Sequence, residues 1–283
     1  MLGLALGCVF AVLAHGLNII WGVLKVVNVA HGDFIMMGAY LSFFANQFWG
    51  LNPLQSVVIN AGFGIVLGYV FYYGMFHYEL RNKSAITLQI EMSTLVSTFG
   101  LSLFISSLAN LVLSPNFVGI HWNAGSVALG DIVLPLGSLY ISFSALIIVF
   151  ATWLFLKRTY LGRAIRAYSQ DIDSVKLSGI NPTTVASFAT ALGITLAFVG
   201  GGLLTAWLPV GINPLMGQLY VLFCFVIVVI GGPGKMWGSL VGGVIIGIAL
   251  DVFQVLLPSS MATGLAFLVL IPILLFRPEG LLG

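Results

Sequence analysis

Long uninterrupted apolar runs are the feature that most restricts how this chain can fold. Residues 139–156, LYISFSALIIVFATWLFL, carry no charge and do not alternate between apolar and polar positions. A transmembrane helix needs about 20 mainly apolar residues, whereas the strands of a membrane barrel alternate. The chain is 60% hydrophobic and only 6% charged, against about 25% charged residues in a typical soluble domain. The sequence therefore predicts an all-α bundle of membrane-spanning helices.

The predicted bundle has about nine spans, and a count of eight stays open because a short segment could be re-entrant. All of them belong to a single transmembrane domain, residues 1–283. The segments long and apolar enough to be candidates are residues 2–22, 27–48, 54–76, 93–113, 133–156, 184–208, 217–232, 236–257 and 262–276.

The distribution of basic residues predicts an orientation. Four connections contain no Lys or Arg, namely 49–53, 114–131, 209–216 and 258–261. Lys and Arg are enriched in short cytoplasmic loops, so we expect the N-terminus outside and the C-terminus in the cytoplasm. The residues on the predicted cytoplasmic side are Lys25, Arg81, Lys83, Lys157, Arg158, Arg163, Arg166, Lys176, Lys235 and Arg277.

Small residues recur four positions apart within several predicted spans. Such spacing places them on one helix face, where they allow two helix backbones to approach closely. We therefore expect these faces to be packing surfaces. The positions are Gly3 and Gly7, Gly64 and Gly68, Gly193 with Ala197 and Gly201, Gly238 and Gly242, and Gly243 and Gly247.

Residues 16–40, GLNIIWGVLKVVNVAHGDFIMMGAY, place Asn18, Asn28, His31 and Asp33 within or beside apolar stretches. Polar groups at membrane depth are costly and indicate function by default. Three positions apart, Asn28 and His31 would share a helical face. A helix break here would expose backbone groups that can bind a polar solute. The alternative is that His31 and Asp33 cap a helix at the membrane boundary.

Two further groups are candidates for the translocation path. Asp251 and Gln254 lie three residues apart in an apolar run, where a charge is expected to avoid lipid. Thr94 and Thr98 could line a water-filled face of their span. The alternative for the threonines is a hydrogen bond to their own helix backbone, which is common for Ser and Thr in spans.

The chain has one long hydrophilic connection, residues 157–183. Its charges alternate in sign, and it contains a short amphipathic helix that Asp171 or Asp173 would begin and that Gly179 and Pro182 would end. Because connections between helices are usually short, we expect this one to be a docking surface for a soluble partner. The alternative is a solvated loop.

No motif in the sequence predicts covalent chemistry. Gly234 and Lys235 superficially resemble a phosphate-binding loop, but Met236 stands where Ser or Thr is required. We interpret that segment as a tight turn or a helix break on the cytoplasmic side, and we expect no bound cofactor, no metal and no nucleic-acid partner. A stand-alone ion-coupled transporter or channel remains the alternative function, with Asp33, Glu91 and Asp251 as its candidate acids.

Three landmarks together resemble the LivH-type permease family of branched-chain amino-acid ABC transporters. The first is residues 16–40, with NVAHGDF and GAY. The second is GRAIRAYSQDIDSVKLSGIN, which is similar to the cytoplasmic coupling loop of that family. The third is GGPGKMWGSLVGG together with the ending LIPILLFRPEGLLG. The landmarks follow the order of the family from residue 16 to residue 283.

The resemblance implies an importer of branched-chain or related amino acids, urea or short amides in the plasma membrane of a prokaryote. It implies a second permease subunit, two ATP-binding subunits that carry Mg-ATP, and an extracytoplasmic solute-binding protein. The chain itself would not be an enzyme. The match to the coupling loop makes five residues candidates for contact with the ATP-binding subunits: Arg163, Arg166, Asp171, Asp173 and Gly179.

Overall fold

The computed structural model describes residues 2–80, 87–113, 115–120, 122–129, 132–208 and 211–282. Nearly all of its regular structure is helical, as the apolar runs predict. In chain order the helices are α1 Leu2–Leu24, α2 His31–Trp49, α3 Ser56–Phe71, α4 His77–Leu80, α5 Leu88–Leu113, α6 Leu136–Arg158, α7 Tyr160–Gln170, α8 Ile172–Leu177, α9 Pro182–Leu204, α10 Met216–Gly231, α11 Met236–Leu256, α12 Ser259–Leu268 and α13 Leu270–Phe276.

Seven stretches of the described residues are long and apolar enough to cross a membrane. They comprise α1, α3 with α4, α5, α6, α9, α11, and α12 with α13. A π-helical segment, Tyr72–Phe76, joins α3 to α4. Two predicted spans fall outside this set. One is α10, whose 16 residues cover about 24 Å; the other is α2, which carries buried polar residues and is not apolar enough.

Several predicted span boundaries differ from those of the structure, and two spans begin three or four residues later than predicted. The span predicted from residue 27 begins only at His31, because residues 25–30 interrupt the helix. The span predicted from residue 133 begins at Leu136, because the residues before it form a two-stranded antiparallel hairpin. Its strands are β1 Ser126–Leu129 and β2 Ile132–Pro135. The extended backbone of Pro135 ends the hairpin and starts α6.

Helices α1 and α9 form the centre of the bundle, and most of their residues are buried. The predicted small-residue faces are confirmed as their contact surfaces. A Cβ added to Gly247 of α11 would lie 2.5 Å from the Cα of Gly7 in α1, and one added to Gly193 of α9 would lie 2.6 Å from the carbonyl oxygen of Gly16. Such distances bring the helix backbones into direct contact.

Helix α2 packs against α9 and α10 through close backbone contacts at glycines, as α1 does against α9 and α11. A Cβ on Gly201 of α9 would lie 2.0 Å from the carbonyl oxygen of Ile35, and one on Gly32 would lie 2.0 Å from that of Gly217 in α10. Helix α5 is different, because large apolar side chains such as Phe104 and Leu111 remain exposed along it. Lipid, or another protein subunit, is the environment in which such a surface is stable.

Several basic residues lie at one end of the bundle. Gly22, near the end of α1, packs against Gly234, which precedes α11. The end of α6 lines a cavity with both of these glycines, and Leu281 donates a backbone hydrogen bond to Ile230 at the end of α10. Four basic residues lie at or next to helix ends on this side of the bundle: Lys157, Arg158, Lys235 and Arg277. Arg81 and Lys83 lie outside the described residues.

The glycine-rich segment before α11 is the tight turn that the sequence predicted. Gly232 and Gly234 have φ angles of 94° and 78°, a region that other residues rarely adopt. The segment connects two helices and follows no strand, so it lacks the local structure of a nucleotide-binding loop.

Candidate functional site

The break between α1 and α2 forms the core of the candidate site. Lys25 ends α1 with a φ of 56°, and the chain continues without regular structure until His31. Asn28 lies inside this break, so the prediction that it shares a helical face with His31 was wrong. Its side chain is fully buried, and neither its amide nitrogen nor its oxygen has a hydrogen-bond partner in the described residues.

His31 is held against α1. Its ring is fully buried and its Nε2 lies 3.0 Å from the carbonyl oxygen of Leu13. Because a carbonyl oxygen only accepts, Nε2 carries the proton, and Nδ1 is an acceptor without a partner in the described part of the chain. Gly16 provides the space, since a Cβ there would lie 3.0 Å from the Cε1 atom of His31.

Asp33 lies in the first turn of α2, where a carboxylate is favoured by the helix dipole. It is 1% exposed, and its Oδ1 accepts a 2.7 Å hydrogen bond from the hydroxyl of Ser106. Ser102 interacts with the same carboxyl group. Within the described ranges the one ion pair joins Lys176 to Asp173, so the charge of Asp33 has hydroxyl partners and no cation. Neither His31 nor Asp33 caps a helix at a solvated surface, because both are buried.

A line of hydroxyl groups on α5 faces the break. Thr94, Thr98, Ser102 and Ser106 are spaced four apart, and all four are buried on an otherwise exposed helix. Thr98 accepts a 3.2 Å hydrogen bond from the backbone N–H of Val29 in the break. Both threonine hydroxyls also donate to carbonyls of their own helix, Thr94 to Ile90 and Glu91 and Thr98 to Leu95, which is the alternative that the sequence left open.

Ser102 and Ser106 were missed by the sequence analysis. The signal that could have found them is the four-residue spacing that continues beyond Thr98. A buried polar stripe on an apolar helix is expected to face a partner or a water-filled path. The site therefore comprises Asn28, His31, Asp33 and the hydroxyls of α5, which we call the polar break.

Asn18 serves a different purpose from the polar break. Its Nδ2 donates to the carbonyl oxygen of Lys235 at 2.7 Å and to the hydroxyl of Ser239 at 2.8 Å, and its Oδ1 accepts from the N–H of Gly234 at 2.7 Å. The side chain thus fixes the turn before α11 onto α1.

Replacing Asn18 with Ala should destabilise the fold by about 3 kcal/mol, because each of the lost hydrogen bonds contributes about 1 kcal/mol. The measurement is the free energy of unfolding in mild detergent. Asn46→Ala is the matched control, since Asn46 donates one 3.0 Å hydrogen bond to the carbonyl of Leu51 and should cost about 1 kcal/mol. Equal losses in the two variants would contradict the role given to Asn18.

The structure does not bring Asp251 and Gln254 to the polar break. Asp251 accepts a 2.8 Å hydrogen bond from the backbone N–H of Gly3 at the start of α1, where the helix dipole favours a carboxylate. Gln254 is exposed at the same end of α11. These two residues therefore lie far along α1 from the break that follows Leu24.

The long hydrophilic connection contains two helices, of which the sequence predicted only the second. Helix α8 begins after Asp171, whose carboxylate accepts from the Ser174 hydroxyl and from the N–H of Asp173. These hydrogen bonds lower the pKa of the Asp171 carboxyl. Gly179 ends the segment with a φ of 74°.

Helix α7 is amphipathic and lies on the bundle. Ala164, Ile165 and Tyr168 are buried on one face, and Arg163 is exposed. Arg166 donates to the backbone carbonyl of Leu156 at the end of α6. All five predicted docking residues are exposed, including Gly179 and also Arg166, although one guanidinium nitrogen of Arg166 is bonded to Leu156.

Comparison with known proteins agrees with this architecture. A family profile described as the permease component of branched-chain amino acid transport systems matches residues 1–275. The high-affinity branched-chain amino acid permease protein BraD of Pseudomonas aeruginosa is 30% identical over 99% of this chain and 94% of that protein. The LivH permease protein of Escherichia coli K12 is 28% identical, and that of Salmonella typhimurium is 27% identical, each over 99% of this chain and 93% of its own length. The chain therefore belongs to the family of permease components of branched-chain amino acid transport systems.

Proposed function

We propose that this chain is the membrane-spanning permease of an ATP-driven importer and that the polar break lies on its translocation path. The observation that carries this proposal is the buried set of Asn28, His31 and Asp33 at an interrupted helix. Unsatisfied or charged groups at membrane depth are stable only where protein, water or a polar solute surrounds them. A discontinuous span with polar groups is a recurring form of solute site in transporters.

The transported solute in this proposal is a branched-chain or chemically related amino acid. The relatives named above are branched-chain amino acid permeases. An open apolar groove of about 420 Å³ lies between α2, α3 and α5. Met36 and Ile105 line it, and they lie within one helical turn of Asp33 and Ser106. A polar group beside an aliphatic surface suits a solute with a charged end and an aliphatic side chain.

The basic end of the bundle is cytoplasmic in this proposal, in accordance with the positive-inside rule. The chain then crosses the membrane nine times, with α2 and α10 as the short or polar crossings, its N-terminus outside and its C-terminus inside. Helices α7 and α8 lie on the cytoplasmic face, where their exposed charges form a docking surface. The membrane is the plasma membrane of a prokaryote.

The partners in this proposal are a second permease subunit, two ATP-binding subunits and an extracytoplasmic solute-binding protein. ATP and Mg²⁺ bind to the ATP-binding subunits, and this chain catalyses no covalent step. Binding of ATP to those subunits would shift the permease between inward-open and outward-open arrangements through α7 and α8.

The test of this proposal is purification of the tagged chain from its native membrane in mild detergent, followed by identification of bound subunits. Recovery of an ATP-binding subunit and a second permease supports an ATP-driven importer. Recovery of this chain alone, together with solute uptake driven by a proton or sodium gradient, would support the alternative of an ion-coupled transporter. In that case Asp33 would be the acidic residue that binds the coupling ion.

Replacing Gly179 with Val should uncouple ATP hydrolysis from uptake. The left-handed conformation at this residue costs a β-branched side chain about 1–2 kcal/mol, which would displace α8. Nothing lies within 4 Å of an added Cβ, so the effect comes from backbone strain alone. Gly179→Asn is the control, because Asn tolerates this conformation. Both rates are measured in proteoliposomes, and normal coupling in the Val variant at normal expression would contradict the docking role.

A further inference from the structure

A second internal site lies at the junction of α1, α7 and α11, apart from the polar break. It is a cavity of about 80 Å³. A bound water occupies about 10–15 Å³ on this scale, so the cavity accommodates several waters or one small ligand. Residues from four helices line it, including His15 of α1, Leu156 of α6, Arg166 and Ser169 of α7, and Met236 at the start of α11.

His15 is the residue in this cavity whose hydrogen bonding the protein does not account for. Its side chain is fully buried, and neither ring nitrogen has a hydrogen-bond partner among the described residues. A neutral imidazole has one donor and one acceptor, and leaving both unmade in the interior costs free energy. Asn18 also lines the cavity, but its side chain is bonded to Lys235, Ser239 and Gly234 and not to His15. A ligand in the cavity can accept a hydrogen bond from the ring nitrogen that carries the proton.

The charges around the cavity favour an anion. Arg166 contributes a guanidinium that uses one nitrogen to donate to Leu156 and has further N–H groups available. The first turn of α11, a helix of 21 residues, adds the positive end of its dipole through Met236. Among the residues that the structure describes, neither Asp nor Glu lines the cavity. The remainder of the lining is largely aliphatic, with Ile19 and Val23 among its members.

We propose that this cavity binds a small oxyanion, with Arg166 and His15 as its hydrogen-bond donors. Two sources share the required chemistry: the carboxylate of a small aliphatic acid, which would also use the aliphatic lining, and an inorganic oxyanion such as phosphate. A bound anion would join α7 to α1 and α11, so it would stabilise the position of α7. The site does not depend on the proposed transport function.

The test uses the two buried cysteines, Cys8 and Cys224, as reporters of unfolding in detergent. A thiol-reactive fluorophore labels them only when the chain unfolds. The midpoint of thermal unfolding is measured against increasing phosphate or 4-methylpentanoate, with chloride at equal ionic strength as the reference. We expect a saturable rise of about 5 °C with at least one of these anions, because a ligand that binds only the folded state stabilises it.

Two variants and one control decide the result. Arg166→Gln and His15→Leu should weaken the response at least tenfold in anion concentration, whereas Arg163→Gln should respond as the unchanged protein does. Arg163 lies on the same helix but does not line the cavity. A response to phosphate alone identifies an inorganic oxyanion, and a response to 4-methylpentanoate alone identifies an aliphatic carboxylate. No saturable rise, or an equal rise in all four proteins, would overturn the proposal.

Discussion

Replacing Gly201 with Ala should destabilise the bundle by about 3 kcal/mol, at the upper end of the usual cost of overpacking. The added methyl group would lie 2.0 Å from the carbonyl oxygen of Ile35 and 2.9 Å from its carbonyl carbon. Both atoms belong to the backbone of α2, so no side-chain rotation can relieve the contact. Helix α2 would have to move away from α9, and His31 and Asp33 would move with it.

The matched control for this substitution is Gly62→Ala. Gly62 also lies in a helix, but an added Cβ would have nothing within 4 Å. The control should be more stable than the unchanged protein, by up to about 1 kcal/mol, because Ala favours a helix over Gly. The measurement is the free energy of unfolding of the purified chain in mild detergent. Similar stability in the two variants would show that α2 and α9 are not in direct backbone contact.

Replacing Asp33 with Asn should lower solute uptake about 10- to 100-fold at normal expression. Asn has about the same size as Asp and can still accept the hydrogen bond from the Ser106 hydroxyl. It lacks the negative charge of the carboxylate. A hydrogen bond to a charged group contributes about 1.5–3 kcal/mol, which corresponds to that range. The measurement is the initial rate of labelled leucine uptake in cells or proteoliposomes, with the amount of folded protein determined in parallel.

Asp251→Asn is the control for Asp33→Asn. It shows whether uptake requires Asp33 in particular or any acidic residue within a span. Asp251 accepts its hydrogen bond from Gly3 at the start of α1, away from the polar break. Its loss of charge weakens one helix-dipole interaction, so uptake should stay within about threefold of the unchanged protein. If Asp33→Asn transports normally, or if both variants fail equally, the polar break is not the translocation path.

The packing of the bundle was the part of the fold that could be predicted most directly. Glycines four residues apart on α1 and α11 indicated contact faces, and the structure places Gly7 and Gly247 against each other. This prediction works because spacing along a helix determines which residues share a face. It requires no knowledge of the partner helix.

The role of Asn18 could not be predicted in the same way. Its partners Lys235 and Ser239 are more than 200 positions away in the sequence, and only the antiparallel contact of α1 with α11 brings them together. Asn28 illustrates the opposite problem. Helical spacing placed it with His31, whereas the chain is irregular at that residue. The sequence analysis allowed for a helix break within residues 16–40, but it did not predict at which residue the break begins.

Helix α7 was missed although Leu161, Ala164, Ile165 and Tyr168 have the spacing of an amphipathic helix. Its stability comes from burying Ile165 and Tyr168 against the bundle, which is a tertiary contact. The same burial raises the pKa of Tyr168 to about 12. Helix α8 was predictable, because Asp171 before it and Gly179 after it are local signals of where a helix begins and ends.

The most direct test of the central claim is ATP-dependent uptake by a reconstituted complex. The chain is incorporated into proteoliposomes with its partner permease and ATP-binding subunits, and the solute-binding protein is supplied outside with labelled leucine. The account predicts that leucine accumulates only with ATP and Mg²⁺ inside, and that a proton or sodium gradient cannot replace them. Uptake by this chain alone, driven by such a gradient without ATP, would contradict it.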